Sequence, residues 1–399
     1  MPVVVFVLAV AVFAQGTSEF MVSGLLRQIA ADVGVSPGAA GLLTSLFAAG
    51  MVLGAPVMAM ATVRSPVRYS VAAFLALFCV AHVVGAVATD FAALLATRVV
   101  AAVANAGFLA TVLAALPRLV GPAVVGRATS VVVSGVTVAC IAGVPAGTLL
   151  GQVWGWRSAF WAVAIVSAAA LVPVWAMVPR DDARDRDRLD TQGPSMWREW
   201  AVVVRRPVRG AVLVGVLVNA ATFAGFTYLG TITGGIPEAS GGGVPVVLAL
   251  FGVGSFVGVT LSGRYIDRYR RRIVTVGTVV LVGVWLVAAL TAHTLAGVSI
   301  MAAVAGAVAF GVGSTLIATI MQTAAPTASR ISGALATTAF NIGAVLGPAA
   351  AGVVVDHTDH PTTALWCSSA FMLAAVAVVL AGRRRRTATP VEEVRVDAH

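Results

Sequence analysis

The stretch Gly16-Thr17-Ser18-Glu19-Phe20 places a carboxyl group inside an apolar run that carries no charge from Val3 to Ser18. A charged group at the centre of a membrane helix costs roughly 2.5–3.5 kcal/mol on insertion scales, so an acid there is usually paired, neutralised or turned toward water. The sequence therefore predicts a first membrane-spanning helix and marks Glu19 as a candidate functional residue. The alternative for Glu19 is a structural cap on a neighbouring helix.

The composition extends this prediction to the whole chain. Of 399 residues, 59% are hydrophobic and 11% are charged, and the mean hydropathy is +0.97. A helix that crosses hydrocarbon needs about 20 apolar residues, so twelve helices with short connections would use nearly all of this length. We expect an all-α integral membrane protein with twelve transmembrane helices in two six-helix bundles. The predicted spans are about Pro2–Gly24, Gly38–Thr62, Tyr69–Thr89, Phe91–Leu116, Ala128–Val153, Ser158–Val178, Gly210–Thr233, Gly243–Gly263, Ile273–Ala292, Leu295–Gln322, Ile331–Val355 and Pro361–Gly382.

The positions of the arginines predict the orientation, because cytoplasmic loops are enriched in basic residues. With the amino terminus inside, most arginines outside the spans fall in cytoplasmic segments, so both termini are expected in the cytoplasm. The net charge of +10 lies in loops between apolar spans, which does not indicate nucleic-acid binding. The predicted organisation is an amino-terminal six-helix bundle (1–179), a charged cytoplasmic linker (180–209), a carboxy-terminal six-helix bundle (210–382) and a cytoplasmic tail (383–399).

The sequence contains no pattern typical of an enzyme. Cys79, Cys140 and Cys367 lie inside apolar spans without CxxC or Cys/His spacing, as expected for small core residues. No nucleotide-binding loop, catalytic triad motif or zinc signature is found. We therefore predict neither an enzyme nor a bound cofactor or metal.

The two halves of the chain repeat each other. Gly54, Arg64 and Arg68 recur 204 residues later, and Arg127 and Pro145 recur 203 residues later. Two correspondences at nearly one offset indicate duplication, and duplicated halves are typical of transporters with a central site and alternating access.

Several local motifs then show a resemblance to a known family. The motifs are Gly16–Phe20 with Gly24-Leu25-Leu26, Gly54-Ala55-Pro56 with Arg64, Arg98, Gly143-Val144-Pro145-Ala146-Gly147, Trp156-Arg157, Thr227-Tyr228 and Asn341-Ile342-Gly343. With these motifs the chain resembles the major facilitator superfamily, and within it the twelve-helix drug:proton antiporters. By this resemblance the nearest relatives are chloramphenicol-resistance exporters, followed by sugar and purine-nucleoside efflux proteins, and the proton gradient is the expected energy source.

The resemblance implies roles for some of these residues. Arg98 would relay the protonation state of Glu19, and Asp267 with Arg268 would belong to a cytoplasmic latch between the halves. In the first half, Ala59 and Val63 replace the Gly and Asp of that loop motif, so the second-half copy is the better candidate. The motif around Pro145 resembles an antiporter signature and favours export over import.

The residues themselves also point to an inward polar stripe. Arg98 lies inside a span, and Asn105 follows seven residues later on the same helical face. The alternative is an Arg98 that faces lipid and extends to the membrane surface. Further substrate-cavity candidates occur at helical spacing, although such residues serve at least as often in helix packing. With Asn105, they are Asn219, Phe223, Tyr228 and Asn341.

His82 is a weaker candidate for the proton path, since a lone histidine near a helix end is more often structural. The prediction from sequence is a proton-coupled exporter of chloramphenicol or a related phenicol, in a bacterial cell membrane. Its expected partners are a small amphiphilic drug, protons and the lipid bilayer, and we expect a monomer. A sugar or nucleoside exporter and a non-transporting receptor or sensor remain as alternatives.

Overall fold

The computed structural model describes residues 2–62, 65–120, 124–178, 200–240, 242–328 and 331–387. Within these residues the chain contains helices and no strands, and twelve segments are long and apolar enough to cross a membrane. This confirms the predicted all-α membrane fold. The helices are α1 (Val3–Val33), α2 (Pro37–Thr62), α3 (Val67–Val87), α4 (Phe91–Val120), α5 (Val125–Val138), α6 (Val144–Trp154), α7 (Arg157–Met177), α8 (Arg206–Gly234), α9 (Gly243–Thr291), α10 (Leu295–Ala328), α11 (Ser332–Thr358) and α12 (Thr363–Thr387).

The fifth span is interrupted at its centre. A π-helical segment, Ala139–Gly143, joins α5 to α6. Pro145 lies two residues after this segment and has no N–H to offer the carbonyl group four residues earlier, which favours such a local widening. The π segment therefore widens a continuous membrane helix, and it lies against α9.

The eighth and ninth spans differ from the sequence prediction. We expected a loop over Arg264–Arg272, whereas the structure continues α9 as one helix from Gly243 to Thr291. No proline lies within Arg264–Arg272, and arginine is a good helix former. The two spans, Gly243–Ile266 and Arg268–Thr291, are nevertheless separate by hydropathy.

Several predicted segments fall outside the described residues. They are Arg64, the linker from 179 to 199 and the tail from 388 onward. Among the described residues that flank these segments, α8 begins at Arg206 and α12 continues to Thr387.

Each half of the chain has apolar clusters of its own, and a further cluster joins the halves. Two clusters contain only residues of the first half, whereas another lies in the second half between α8, α10 and α11. The shared cluster contains Phe20, Leu26 and Ala40 from the first half together with Phe223 and Tyr228 from the second. The candidate site lies where α1 enters this shared core.

Candidate functional site

Arg98 lies in the protein interior, on the side of α4 that faces α1. Its side chain is 1% exposed, and its Nη1 and Nη2 donate to Ser18 Oγ (2.8 Å) and to the Ser18 carbonyl oxygen (2.9 Å). Its guanidinium carbon also lies 4.3 Å from the centre of the Phe47 ring on α2, within cation–π range. Arg98 thus contacts protein rather than lipid and joins α1, α2 and α4.

Ser18 connects this arginine to His82 on α3. Ser18 Oγ lies 2.6 Å from His82 Nε2, and His82 Nδ1 lies 2.7 Å from the Phe78 carbonyl oxygen. Ser18 is fully buried and His82 is 1% exposed. A buried polar chain therefore runs from α4 through α1 to α3.

Glu19 is the next residue after Ser18 and is half-buried. The ion pair found among the described residues joins Arg157 to Asp32, and no such pair joins Glu19 to Arg98 there. Arg98 binds the backbone and hydroxyl of Ser18 instead. Any coupling between the arginine and the carboxyl group thus acts through space or through the position of α1.

Gln15 lies one helical turn before Glu19, on the same face of α1. Its side chain is 1% exposed, yet both its amide oxygen and its amide nitrogen lack a hydrogen-bond partner among the described residues. Arg98 Nε is likewise buried without a partner there. Buried polar groups are normally hydrogen-bonded, so this part of α1 can bond a ligand or water.

The predicted cavity residues do not form one group. Phe223 on α8 packs against Phe20 of α1, with ring centres 5.9 Å apart. Asn105 is buried on α4. Asn219 donates to the Phe340 carbonyl oxygen (2.6 Å), and Asn341 donates to the Thr337 carbonyl oxygen (3.1 Å). The Asn219 bond joins α8 to α11 and is the kind of helix-packing contact that the sequence left as an alternative, whereas the Asn341 bond lies within α11.

Tyr228 belongs to the contact between the halves at the membrane side where α1 ends, which we call the Val33 side. The tyrosine is fully buried, and its hydroxyl lies 3.4 Å from both the Gly38 and the Pro348 carbonyl oxygens. It therefore bridges α2 and α11 from α8.

Polar bonds close the Val33 side around this tyrosine. Asp356 at the end of α11 accepts from the Ser36 hydroxyl (2.7 Å) and from the Gly38 N–H (2.8 Å). Asp356 thus caps the amino terminus of α2 from the other half of the chain. Arg27 Nη1 also donates to the Gly234 carbonyl oxygen (2.7 Å). Within the described residues, the hydrogen bonds between the halves lie at this side, so the structure represents a state closed there.

We expect replacement of Asp356 by Ala to loosen this closure, because the first turn of α2 then loses an acceptor for its orphan N–H groups. Hydrogen–deuterium exchange should become several-fold faster at Gly38 and its neighbours. His357→Ala is the control, since His357 is exposed at the same helix end. Unchanged exchange in Asp356→Ala would contradict the capping role.

The motif residues that the resemblance singled out are mainly packing positions. A Cβ on Gly54 would lie 2.9 Å from Val103 Cα, and a Cβ on Gly143 would lie 2.0 Å from Thr17 Oγ1. Gly143 therefore allows α1 to approach the π segment one residue before Ser18. Pro145 is buried, and Gly147 faces Met21 at ordinary contact distance.

The predicted cytoplasmic latch is described only in part. The guanidinium of Arg268 lies 5.7 Å from the ring centre of its neighbour Tyr269. The side chains of Pro56 and Asp267, and all of Arg64, lie outside the described part of the chain.

The sequence pattern predicts neither Ser18 as a partner of Arg98 nor Asp356 as a cap. Asp356 directly follows the predicted span Ile331–Val355, and nothing in its local sequence indicates that it meets α2. Gln15 offered a signal, since it is a polar residue one turn from Glu19 in an otherwise apolar run.

Comparisons with known proteins agree with this architecture. The family model of the Major Facilitator Superfamily matches residues 8–338 and 235–397. The chain is 43% identical to a chloramphenicol resistance protein of Streptomyces lividans, over 99% of this chain and 100% of that protein. It is 29% identical to a chloramphenicol efflux pump of Mycobacterium tuberculosis, over 88% and 86% of the two chains.

A solved structure shows the same fold at low sequence identity. It is a bacterial homologue of the human lysosomal transporter Spinster, in an inward-facing and unoccupied conformation. The two chains align with a TM-score of 0.74 and 18% identity, over 95% of this chain and 96% of that one.

Three findings identify the family. The described chain has twelve segments able to span a membrane, the family model matches it, and a full-length relative is 43% identical. The chain belongs to the major facilitator superfamily and is a multi-pass membrane transporter rather than an enzyme.

Proposed function

We propose that this transporter exports chloramphenicol or a related phenicol across a bacterial cell membrane in exchange for protons. The observation that carries the coupling is the contact of Arg98 with the backbone and hydroxyl of Ser18, directly beside the half-buried Glu19. The substrate class is supported by the names of the two chloramphenicol-related proteins to which the chain is similar.

The coupling depends on the Glu19 carboxyl group in a water-poor interior. A membrane carboxylate is stabilised by a nearby cation or by water, and its protonated form is favoured when both are withdrawn. Because Arg98 holds α1 at Ser18, movement of α1 relative to α4 changes the distance between the guanidinium and Glu19. Protonation of Glu19 and the arrangement of the halves are then linked, which is the requirement for exchange.

The orientation completes the scheme. We take the amino terminus as cytoplasmic on the arginine distribution, which makes the Val33 side the outer side and the present state closed to the outside. Proton binding at Glu19 from outside would favour substrate release and the return to this state. Substrate binding from inside would favour proton release and outward opening. We take the monomer as the transporting unit.

The test is resistance of a sensitive host. Cells that express the wild-type chain should tolerate more chloramphenicol than cells with an empty vector, and Glu19→Gln should return them to the vector value, because the amide cannot exchange a proton. Everted vesicles should show export dependent on a pH gradient with the wild type and none with the variant.

Glu238→Gln provides the matched control, because Glu238 is exposed in the connection after α8. It should behave as wild type. A well-inserted wild-type protein that confers no resistance would refute the phenicol assignment, and Glu19→Gln with intact pH-dependent export would refute the coupling role.

A further inference from the structure

The buried chain from Arg98 through Ser18 ends at a histidine to which the proposed function gives no role. His82 Nε2 faces Ser18 Oγ at 2.6 Å, and its Nδ1 faces the Phe78 carbonyl oxygen at 2.7 Å. The imidazole is 1% exposed, and its ring centre lies 4.2 Å from that of Phe78 and 5.8 Å from that of Phe160. Both ring nitrogens thus have protein partners in an otherwise aromatic pocket.

The partners fix where the hydrogens lie. A carbonyl oxygen only accepts, so His82 Nδ1 carries a hydrogen. Arg98 only donates, so Ser18 Oγ accepts from Nη1. The single hydroxyl hydrogen of Ser18 is then free to point at His82 Nε2, which accepts it. One neutral tautomer, with hydrogen on Nδ1, satisfies all three groups.

A protonated His82 would break this arrangement. Its Nε2–H would donate to Ser18 Oγ, so the Ser18 hydroxyl hydrogen would lose His82 as its acceptor. A second cation would also lie one serine away from Arg98. The charged groups beside the imidazole are Arg98 from α4 and, next to Ser18, Glu19 from α1. The helix α7 contributes Phe160 and has no charged residue after Arg157.

We propose that His82 is a positioning residue for proton coupling: its neutral imidazole orients the Ser18 hydroxyl so that Ser18 Oγ accepts from Arg98 and holds the guanidinium beside Glu19. This inference rests on the proposed function for its consequence, but the hydrogen-bond arrangement stands independently of the substrate. It requires an acceptor at the Nε2 position and requires no proton transfer by the histidine.

The arrangement can be measured directly. The purified protein, labelled with 15N-histidine and reconstituted in liposomes, contains five histidines, and the His82 signals are those missing from His82→Gln. At neutral pH we expect a protonated Nδ1 and an unprotonated Nε2. A protonated Nε2, alone or together with Nδ1, would overturn the proposal whether or not the protein exports phenicols.

The consequence is tested by replacements that keep or remove the acceptor. Gln places an amide oxygen near the position of Nε2, so His82→Gln should retain most pH-gradient-dependent chloramphenicol export. His82→Leu should lower this export about tenfold. That is the size of effect expected when the hydrogen bond between Ser18 Oγ and the charged Arg98 is weakened. His293→Leu, at an exposed position, should behave as wild type.

A double replacement separates positioning from simple packing. If His82 acts through Ser18, then His82→Leu combined with Ser18→Ala should export no less than Ser18→Ala alone. Additive losses, or equal losses in the Gln and Leu variants, would overturn the proposal. Should the wild type itself export no chloramphenicol, the proposed function fails, and the 15N measurement still decides the placement of the proton.

Discussion

Replacing Arg98 by Lys is expected to lower chloramphenicol export about tenfold or more although the positive charge is kept. The guanidinium donates from two nitrogens to two oxygens of one residue, Ser18 Oγ and the Ser18 carbonyl, and its carbon lies 4.3 Å from the centre of the Phe47 ring. An ammonium group is a point charge without this fork and stacks poorly on a ring. Loss of one hydrogen bond from a charged group costs about 1.5–3 kcal/mol, which corresponds to roughly tenfold or more.

The measurement is export by everted vesicles, normalised to protein that elutes as a single species in detergent. Arg205→Lys is the control, because Arg205 is exposed just before α8, and it should leave export unchanged. Full export by Arg98→Lys would show that a positive charge alone suffices and that the contact with Ser18 is incidental.

The second large effect is expected at Gly252, where α9 approaches the broken fifth span. A Cβ at this position would lie 2.3 Å from the Cys140 carbonyl oxygen and 2.7 Å from the Cys140 carbonyl carbon. These are backbone atoms of the π segment in the other half of the chain, so they cannot rotate away as a side chain would. Gly252→Ala should therefore push α9 away from the π segment at the centre of the fifth span and weaken the packing between the halves.

Overpacking of this kind costs about 1–3 kcal/mol, and a difference of that size changes a two-state equilibrium about 5- to 150-fold. We expect the closed state to lose population to a state open at the Val33 side. Spin labels at Val35 and His357, in a background without the native cysteines, should report a longer distance in the variant.

Gly283 offers a control on the same helix, because a Cβ there would meet nothing within 4 Å. Gly283→Ala should keep the wild-type distance distribution. If Gly252→Ala also keeps it in a folded protein, the contact between α9 and the π segment does not hold the halves together.

Glu19 and Arg98 could be identified from sequence because each is a charged residue in a long apolar run, and the cost of such a charge in a membrane is high wherever the helices pack. The membrane spans follow from the same physics, since hydropathy over about 20 residues needs no knowledge of neighbours. The exception is Arg264–Arg272, where charge suggested a loop although the backbone stays helical through α9.

What only the tertiary structure decided is which polar groups meet. Ser18 and His82 are 64 residues apart, and Asp356 lies 318 residues from Gly38. Such contacts depend on helix rotation and on the close approach of helices, which Gly252 permits between the halves and Gly143 permits within the first half. No local sequence pattern specifies either approach. The sequence by itself determined a twelve-helix membrane protein with a carboxyl group and an arginine in its interior. The packing determined that the arginine holds the residue beside that carboxyl group, because a hydrogen bond forms only where folding brings donor and acceptor within about 3 Å.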